Sequence, residues 1–260
     1  MQDLLWTTGN GVATVTLNRP ERLNAFSDSM VFGLIELLGE FERRDDTGVI
    51  VITGAGRGFC AGGDVKGMAE TAVVDVDARV AALQRKHGLI RRIRSAPQVV
   101  VAAINGVAAG AGLALALACD VRIASRTARL GATYARVGLP GDYGISYLLP
   151  QAVGRPMAQQ LLLSGRMVEA EEALGLGLVT TLFASEDFSA GVAEFAEGIA
   201  RGPRLAYAAM KRNLCAGEQG ALDAVLDCEA RNLVAALLTA DHREAALAFT
   251  EKRQPVFRGR

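Results

Sequence analysis

The apolar positions of this chain alternate between short β-branched runs and stretches of helical period. Val12 to Leu17 alternates as a strand does, and Gly9-Asn10-Gly11 before it has the composition of a tight hairpin turn. Asn18-Arg19-Pro20 ends that strand. Met30, Leu34, Leu37, Leu38 and Phe41 then recur at helical spacing between Ser27 and Arg43, with Ser27 or Asp28 as the cap. Val49 to Ile52 predicts a short buried strand. Residues 78–94 predict one amphipathic helix with Val80, Leu83, His87 and Ile90 on one face and Arg79, Arg85, Lys86 and Arg92 largely elsewhere. Val121 to Ala124 is a further strand, and from Pro156 the pattern is mostly helical. It includes a short helix over Glu169–Gly177, a strand at Leu178-Val179-Thr180 and two or more helices from Phe188 to Arg253. Strands that alternate with helices predict an α/β fold with a mainly parallel layered sheet.

Val99 to Asp120 is the centre of this pattern. It runs apolar and β-branched to Ile104, breaks at Asn105-Gly106, and continues through glycines 106, 110 and 112 into an Ala/Leu series. The pattern predicts a buried strand, a tight turn and a buried helix whose first turn is glycine and alanine. Small residues there leave bare N–H groups at the positive end of the helix dipole, which suits a developing anion. No charged residue occurs from Val99 to Ala118, as in a membrane span. The strand-like half could not satisfy its backbone in lipid, so a water-soluble domain is the expectation.

Composition narrows the classes. With 28 basic and 28 acidic residues, the chain has no charge excess to attract nucleic acid or a membrane surface. Cys60, Cys119, Cys215 and Cys228 share no metal-binding spacing, which predicts reduced thiols and no metal site. The first residues lack the form of a signal peptide, and a cytoplasmic location is expected.

Two loops carry candidate chemistry. The glycines at 54, 56 and 58 do not fit a dinucleotide loop, and no P-loop Lys-Ser/Thr follows. Ala61-Gly62-Gly63-Asp64 could present a free N–H ahead of a helix capped by Asp64. Gly138 to Gly144 is a rigid turn that contains Asp142, where an aspartate commonly bonds its own backbone. His87 on an apolar face reads, from spacing alone, as a core histidine.

Taken in order, six pieces resemble the crotonase (enoyl-CoA hydratase/isomerase) superfamily. They are Asn18-Arg19-Pro20 with Asn24-Ala25, Phe59 to Lys66, Ala103 to Gly112, Cys119 to Ala124, Val137-Gly138-Leu139, and Ala248 to Arg253. The resemblance implies a spiral of ββα units over residues 1–200 and a C-terminal helical region over 201–260 that serves oligomerisation and CoA contact. It further implies a homotrimer or dimer of trimers. The implied substrate is an acyl-CoA thioester; no separate cofactor is expected, because coenzyme A is part of the substrate. The thioester oxygen would lie between the N–H groups of Gly63 and Ala111. Ala25, Ala61, Asp64, Tyr134 and Tyr143 would contact the substrate. Arg22, Lys66, Phe249 and Lys252 would contact CoA, the last two from a neighbouring subunit.

The sequence departs from the family's hydratases where their two glutamates stand: those positions hold Ala114 and Tyr134. Asp142 matches an acidic position found in some members, and His87 matches a histidine that activates water in dehalogenases of the family. Three readings follow. The first is double-bond isomerisation with Asp142 as base and the enolate held by Gly63 and Ala111. The second is a CoA-thioester hydrolase, dehalogenase or C–C bond-cleaving enzyme that uses Asp142, as nucleophile with a His87 base, or with Tyr143 as the partner. The third is an acyl-CoA-binding member without catalysis. Ala114 in place of glutamate further suggests room near the α-carbon for a bulky acyl group.

Overall fold

Leu4–Gly9 (β1) and Val12–Leu17 (β2) form an antiparallel hairpin closed by Asn10 and Gly11. Both turn residues have positive φ, 52° and 78°, as a two-residue turn between twisted strands requires. The structure, a computed structural model, describes residues 3–64 and 75–260. Three strand pairs follow the hairpin. Val49–Gly54 (β3) leads to Gly58–Cys60 (β4), Val99–Ile104 (β5) to Val107–Ala109 (β6), and Val121–Ser125 (β7) to Arg129–Gly131 (β8).

The first strand of each pair enters a six-stranded sheet in the order β1-β2-β3-β5-β7-β10, where β10 is Thr181–Phe183. The second enters a four-stranded sheet in the order β4-β6-β8-β9, where β9 is Val168–Glu169. Within each sheet the successive turns pair in parallel. This is the crotonase-type spiral of ββα units, each turn adding one strand to each sheet.

The core sits on both faces of the larger sheet. Ile50, Ile52, Val100, Ala102 and Ile104 point to the interior shared with Asp28–Glu42 (α1) and Ala111–Ala118 (α4). Val49, Val51, Val99, Val101 and Ala103 point the other way, against Phe188, Val192 and Ala196 of Phe188–Ala200 (α8). Burial on both faces explains why these strands are continuously apolar rather than alternating. Ser27 caps α1, its hydroxyl accepting the Met30 N–H at 3.0 Å.

Several expected elements differ. The single helix expected over 78–94 is two, Val76–Lys86 (α2) and Gly88–Ser95 (α3), which break at His87 before a glycine. The turn expected after Ile104 contains the short strand β6, hidden because a three-residue strand has no readable period. Helical structure starts before Pro156, with Ile145–Val153 (α5) and Arg155–Ser164 (α6). After Ala170–Leu176 (α7), Leu178 and Val179 are buried but lie outside the ladder, and pairing begins at Thr181. The rest of the chain is Arg204–Gln219 (α9), Leu222–Leu237 (α10) and Ala240–Glu251 (α11). Among the described residues no helix is long and apolar enough to cross a membrane.

Candidate active site

Two asparagines organise the loops at one end of the two sheets. Asn24 is fully buried, accepts the Arg19 N–H at 2.8 Å and donates to the carbonyls of Ala55 at 3.0 Å and Gly58 at 2.7 Å. Asn105 accepts the Gly54 N–H and donates to Gly56 O at 2.9 Å. The glycine-rich 54–58 loop is therefore saturated by amide side chains and is packing rather than a phosphate cradle. Arg19 donates to Ala25 O at 2.7 Å and lies 3.6 Å from Asp64, so it joins the first loop to the loop bearing Gly63.

The Gly63 loop and the start of α4 are pressed together. Gly62 has φ +96°, and a Cβ there would come within 2.7 Å of Ala109 O and 3.1 Å of Ala111 N. A Cβ on Gly112 would meet Cys60 O at 2.0 Å. The Phe26 N–H bonds Gly62 O at 2.8 Å, which completes a short bridge to Gly63. Ala111 is the first residue of α4, so its N–H has no partner within the helix. Gly63, Gly110 and Ala111 all line one cavity of about 600 Å³, a size suited to a small-molecule group.

The opposite wall is made of side chains. It includes Phe26, Leu83, Tyr134, Leu139, Asp142 and Tyr143. Asp142 Oδ1 accepts the Tyr143 N–H at 2.7 Å and lies 2.6 Å from His87 Nε2. A carboxylate only accepts, so this bond forms with Nε2 as its donor when Asp142 is ionised. Among the described residues no hydrogen bond reaches Asp142 Oδ2. Tyr134 donates its hydroxyl to the Asp142 carbonyl at 3.0 Å, which ties down the backbone of the same residue. Burial raises the hydroxyl pKa of both Tyr134 and Tyr143, and the Asp142 charge adds to it, so both phenols stay neutral donors.

Among the described residues the cavity has three carboxylates, of Asp28, Asp64 and Asp142. Lys86 lies 2.5 Å from Asp28, and Arg19 neutralises Asp64. Only Asp142 faces a histidine instead of an arginine or lysine.

The expected site residues separate into groups. Gly63, Ala111, Ala61, Asp64, Tyr134, Tyr143 and Asp142 share the cavity. Ala25 is buried behind it and contributes its carbonyl to Arg19. His87 is half-buried and bonded to Asp142 rather than enclosed as a core histidine, and it stands behind the carboxylate, not on the cavity wall. Arg22, Phe249 and Lys252 are exposed and do not line the cavity of their own chain. Lys66, and the helix expected after Asp64, lie outside the described residues. Ala114 is fully buried within α4 and does not line the cavity, so its small size provides no room for an acyl group. Lys86, read from spacing as a solvent-facing residue, is turned inward at the cavity by its bond to Asp28. Arg79, Thr133 and Arg136 also line the wall; they fall in the 68–80 and 130–150 segments expected to wall the pocket, though none was singled out as a site residue.

Comparison with known proteins agrees with this geometry. The model of the enoyl-CoA hydratase/isomerase family matches residues 7–260. The 1,2-epoxyphenylacetyl-CoA isomerase of Escherichia coli (strain K12) is 37% identical over 261 residues, covering 100% of both chains. The short-chain-enoyl-CoA hydratase of Clostridium acetobutylicum is 32% identical over 94% of this chain and 92% of its own. The crystal structure of an enoyl-CoA hydratase from Bacillus anthracis superposes with a TM-score of 0.94 at 31% identity, covering 100% of both chains. A paired-sheet spiral, a backbone-lined cavity and a full-length match together make this chain a member of the enoyl-CoA hydratase/isomerase family.

Proposed function

We propose that this protein isomerises the double bond of an acyl-CoA thioester, with Asp142 as the only proton shuttle. One observation carries the reading: Asp142 is the cavity carboxylate, among the described residues, that no lysine or arginine neutralises, and its Oδ2 is open. Oδ2 removes a proton from C2 of a 3-enoyl thioester, the electron pair moves onto the thioester oxygen, and the N–H groups of Gly63 and Ala111 hold that charge. Return of the same proton at C4 yields the conjugated 2-enoyl thioester with no change of mass. Each such donor is typically worth about 2.7–4 kcal/mol at the transition state.

Hydration by a carboxylate pair lacks its second member, since position 134 is a tyrosine and position 114 a buried alanine. That one full-length relative is itself named a CoA-ester isomerase is consistent with the reading. The exposed Leu222, Leu226, Leu233 and Leu237 of α10 support assembly with further copies of the chain, as a trimer or dimer of trimers. Such packing would bring Phe249 and Lys252 to a neighbour's CoA.

The test is product analysis with a 3-enoyl-CoA and a trans-2-enoyl-CoA offered separately. Conversion of the first to its conjugated isomer, lost in Asp142→Asn, supports the proposal; rapid hydration of the second overturns it. The 2.6 Å His87–Asp142 contact favours one alternative, in which Asp142 attacks the thioester carbonyl and expels the CoA thiolate. Water assisted by His87 then attacks the Asp142 carboxyl carbon of the resulting anhydride and releases the free acid. Single turnover in ¹⁸O-labelled water distinguishes the two, because only the nucleophile leaves label in the Asp142 carboxylate.

A further inference from the structure

Tyr143 has a role that the proton shuttle does not use. Its backbone is held at φ 51°, a left-handed conformation that is uncommon for a bulky residue and is maintained only where its surroundings compel it. Two contacts do so. The ring stands 5.3 Å from the Phe26 ring and 5.6 Å from the His87 ring, and its N–H is fixed to Asp142 Oδ1. The residue is only 6% exposed and lines the cavity.

Its hydroxyl has no hydrogen-bond partner among the described residues. The only fully buried side-chain polar atom left unpartnered there is Gln98 Oε1. The Tyr143 hydroxyl is therefore not sealed in the core, and the residue that carries it lines the cavity. Tyr134 differs: its hydroxyl is already committed to the Asp142 carbonyl. A clamped, neutral donor on the wall of a substrate cavity, with nothing in the protein to bond, is complementary to an acceptor on the ligand.

We propose that Tyr143 is a specificity residue whose hydroxyl donates to an oxygen substituent on the acyl chain, so that the site prefers oxygen-bearing acyl thioesters over plain hydrocarbon ones. The assignment rests on the reading of this cavity as the acyl-CoA site, and it does not depend on which reaction Asp142 performs. A neutral hydrogen bond of about 0.5–1.5 kcal/mol corresponds to a preference of roughly 2- to 10-fold.

The experiment is equilibrium binding, by calorimetry, of butyryl-CoA, 3-hydroxybutyryl-CoA and 4-hydroxybutyryl-CoA to the wild type, Tyr143→Phe and Asp142→Asn. The expected result is that one hydroxylated ester binds the wild type roughly 3- to 10-fold more tightly than butyryl-CoA. That ratio collapses to within about twofold in Tyr143→Phe and persists in Asp142→Asn. A wild type without preference for either hydroxylated ester overturns the proposal, as does a preference that survives in Tyr143→Phe. Because the wild-type ratio alone can refute it, the test stands even if the variant folds poorly. Failure of the isomerase reading instead appears as unchanged products in Asp142→Asn.

Discussion

The two walls of the cavity are built by opposite means. One wall, from Ala61 to Asp64 and from Gly110 to Gly112, presents backbone. It depends on successive turns of the spiral touching so closely that a methyl group does not fit: 2.0 Å from a Cβ at Gly112 to Cys60 O. The other wall, from Tyr134 to Tyr143 with α2 and α3 behind it, presents side chains held by one another. On the proposed reading, the backbone wall stabilises negative charge on the thioester whatever the acyl group, and the side-chain wall selects what happens to the carbons. Chemistry shared across a family therefore lies in packing, and the particular reaction lies in a few side chains.

The largest effect should come from the side-chain wall. Asp142→Asn keeps the shape but cannot take a proton, and turnover of a 3-enoyl-CoA should fall by about 10²–10⁴-fold while the melting temperature changes little. Steady-state rates beside a thermal melt check this, and equal loss of both would make Asp142 structural.

Damage to the backbone wall should show the converse. Gly112→Ala forces a methyl against a carbonyl of the main chain, so unfolding free energy should drop by about 1–3 kcal/mol, with activity lost alongside. Urea unfolding followed by circular dichroism measures it; a variant of wild-type stability would mean that the spiral turns are looser than described.

A smaller effect is expected at His87. Glutamine can still donate to Asp142 Oδ1, so His87→Gln should slow isomerisation by less than about tenfold. If Asp142 were a nucleophile, the same variant would instead stall as an acyl-enzyme, visible by intact mass as the added acyl group.

The pH dependence of stability sharpens the comparison from beneath the backbone wall. Burial pushes the thiols of Cys60 and Cys119 up to about 12. The unfolded chain releases those protons from about pH 8.5 upward, whereas the folded chain keeps them. The stability that they contribute is thus complete below about 8.5 and declines as pH rises towards 12. Urea midpoints at pH 8, 9 and 10 should fall, and Cys60→Ala should flatten the slope.

Much of this protein is determined by its sequence alone. The apolar runs at 49–52 and 99–104 read as strands buried on both faces, since no polar alternation offers a solvent side. Ser27 marks the start of α1 because its hydroxyl satisfies a backbone donor there. The order of the glycine motifs and Asn24 carries the family resemblance, and that resemblance implied the spiral and its backbone wall; the glycines are legible because close approach restricts which residues fit. The resemblance already named Asp142, Tyr134 and Tyr143 as site residues, but how the side chains around the cavity pair was decided only in three dimensions. The period of residues 78–94 suggested one helix, yet His87-Gly88 breaks it, and that break turns the imidazole from a core face towards Asp142, 55 residues away. Lys86 turns inward because Asp28 of another helix is there to receive it. Tyr143 takes a left-handed backbone only because Phe26 and His87 close on its ring. Hydrophobic period and glycine spacing record what each segment buries along its own length. Side-chain pairing across segments leaves no such period, so the acid, its histidine and the open hydroxyl become a site only when the spiral closes.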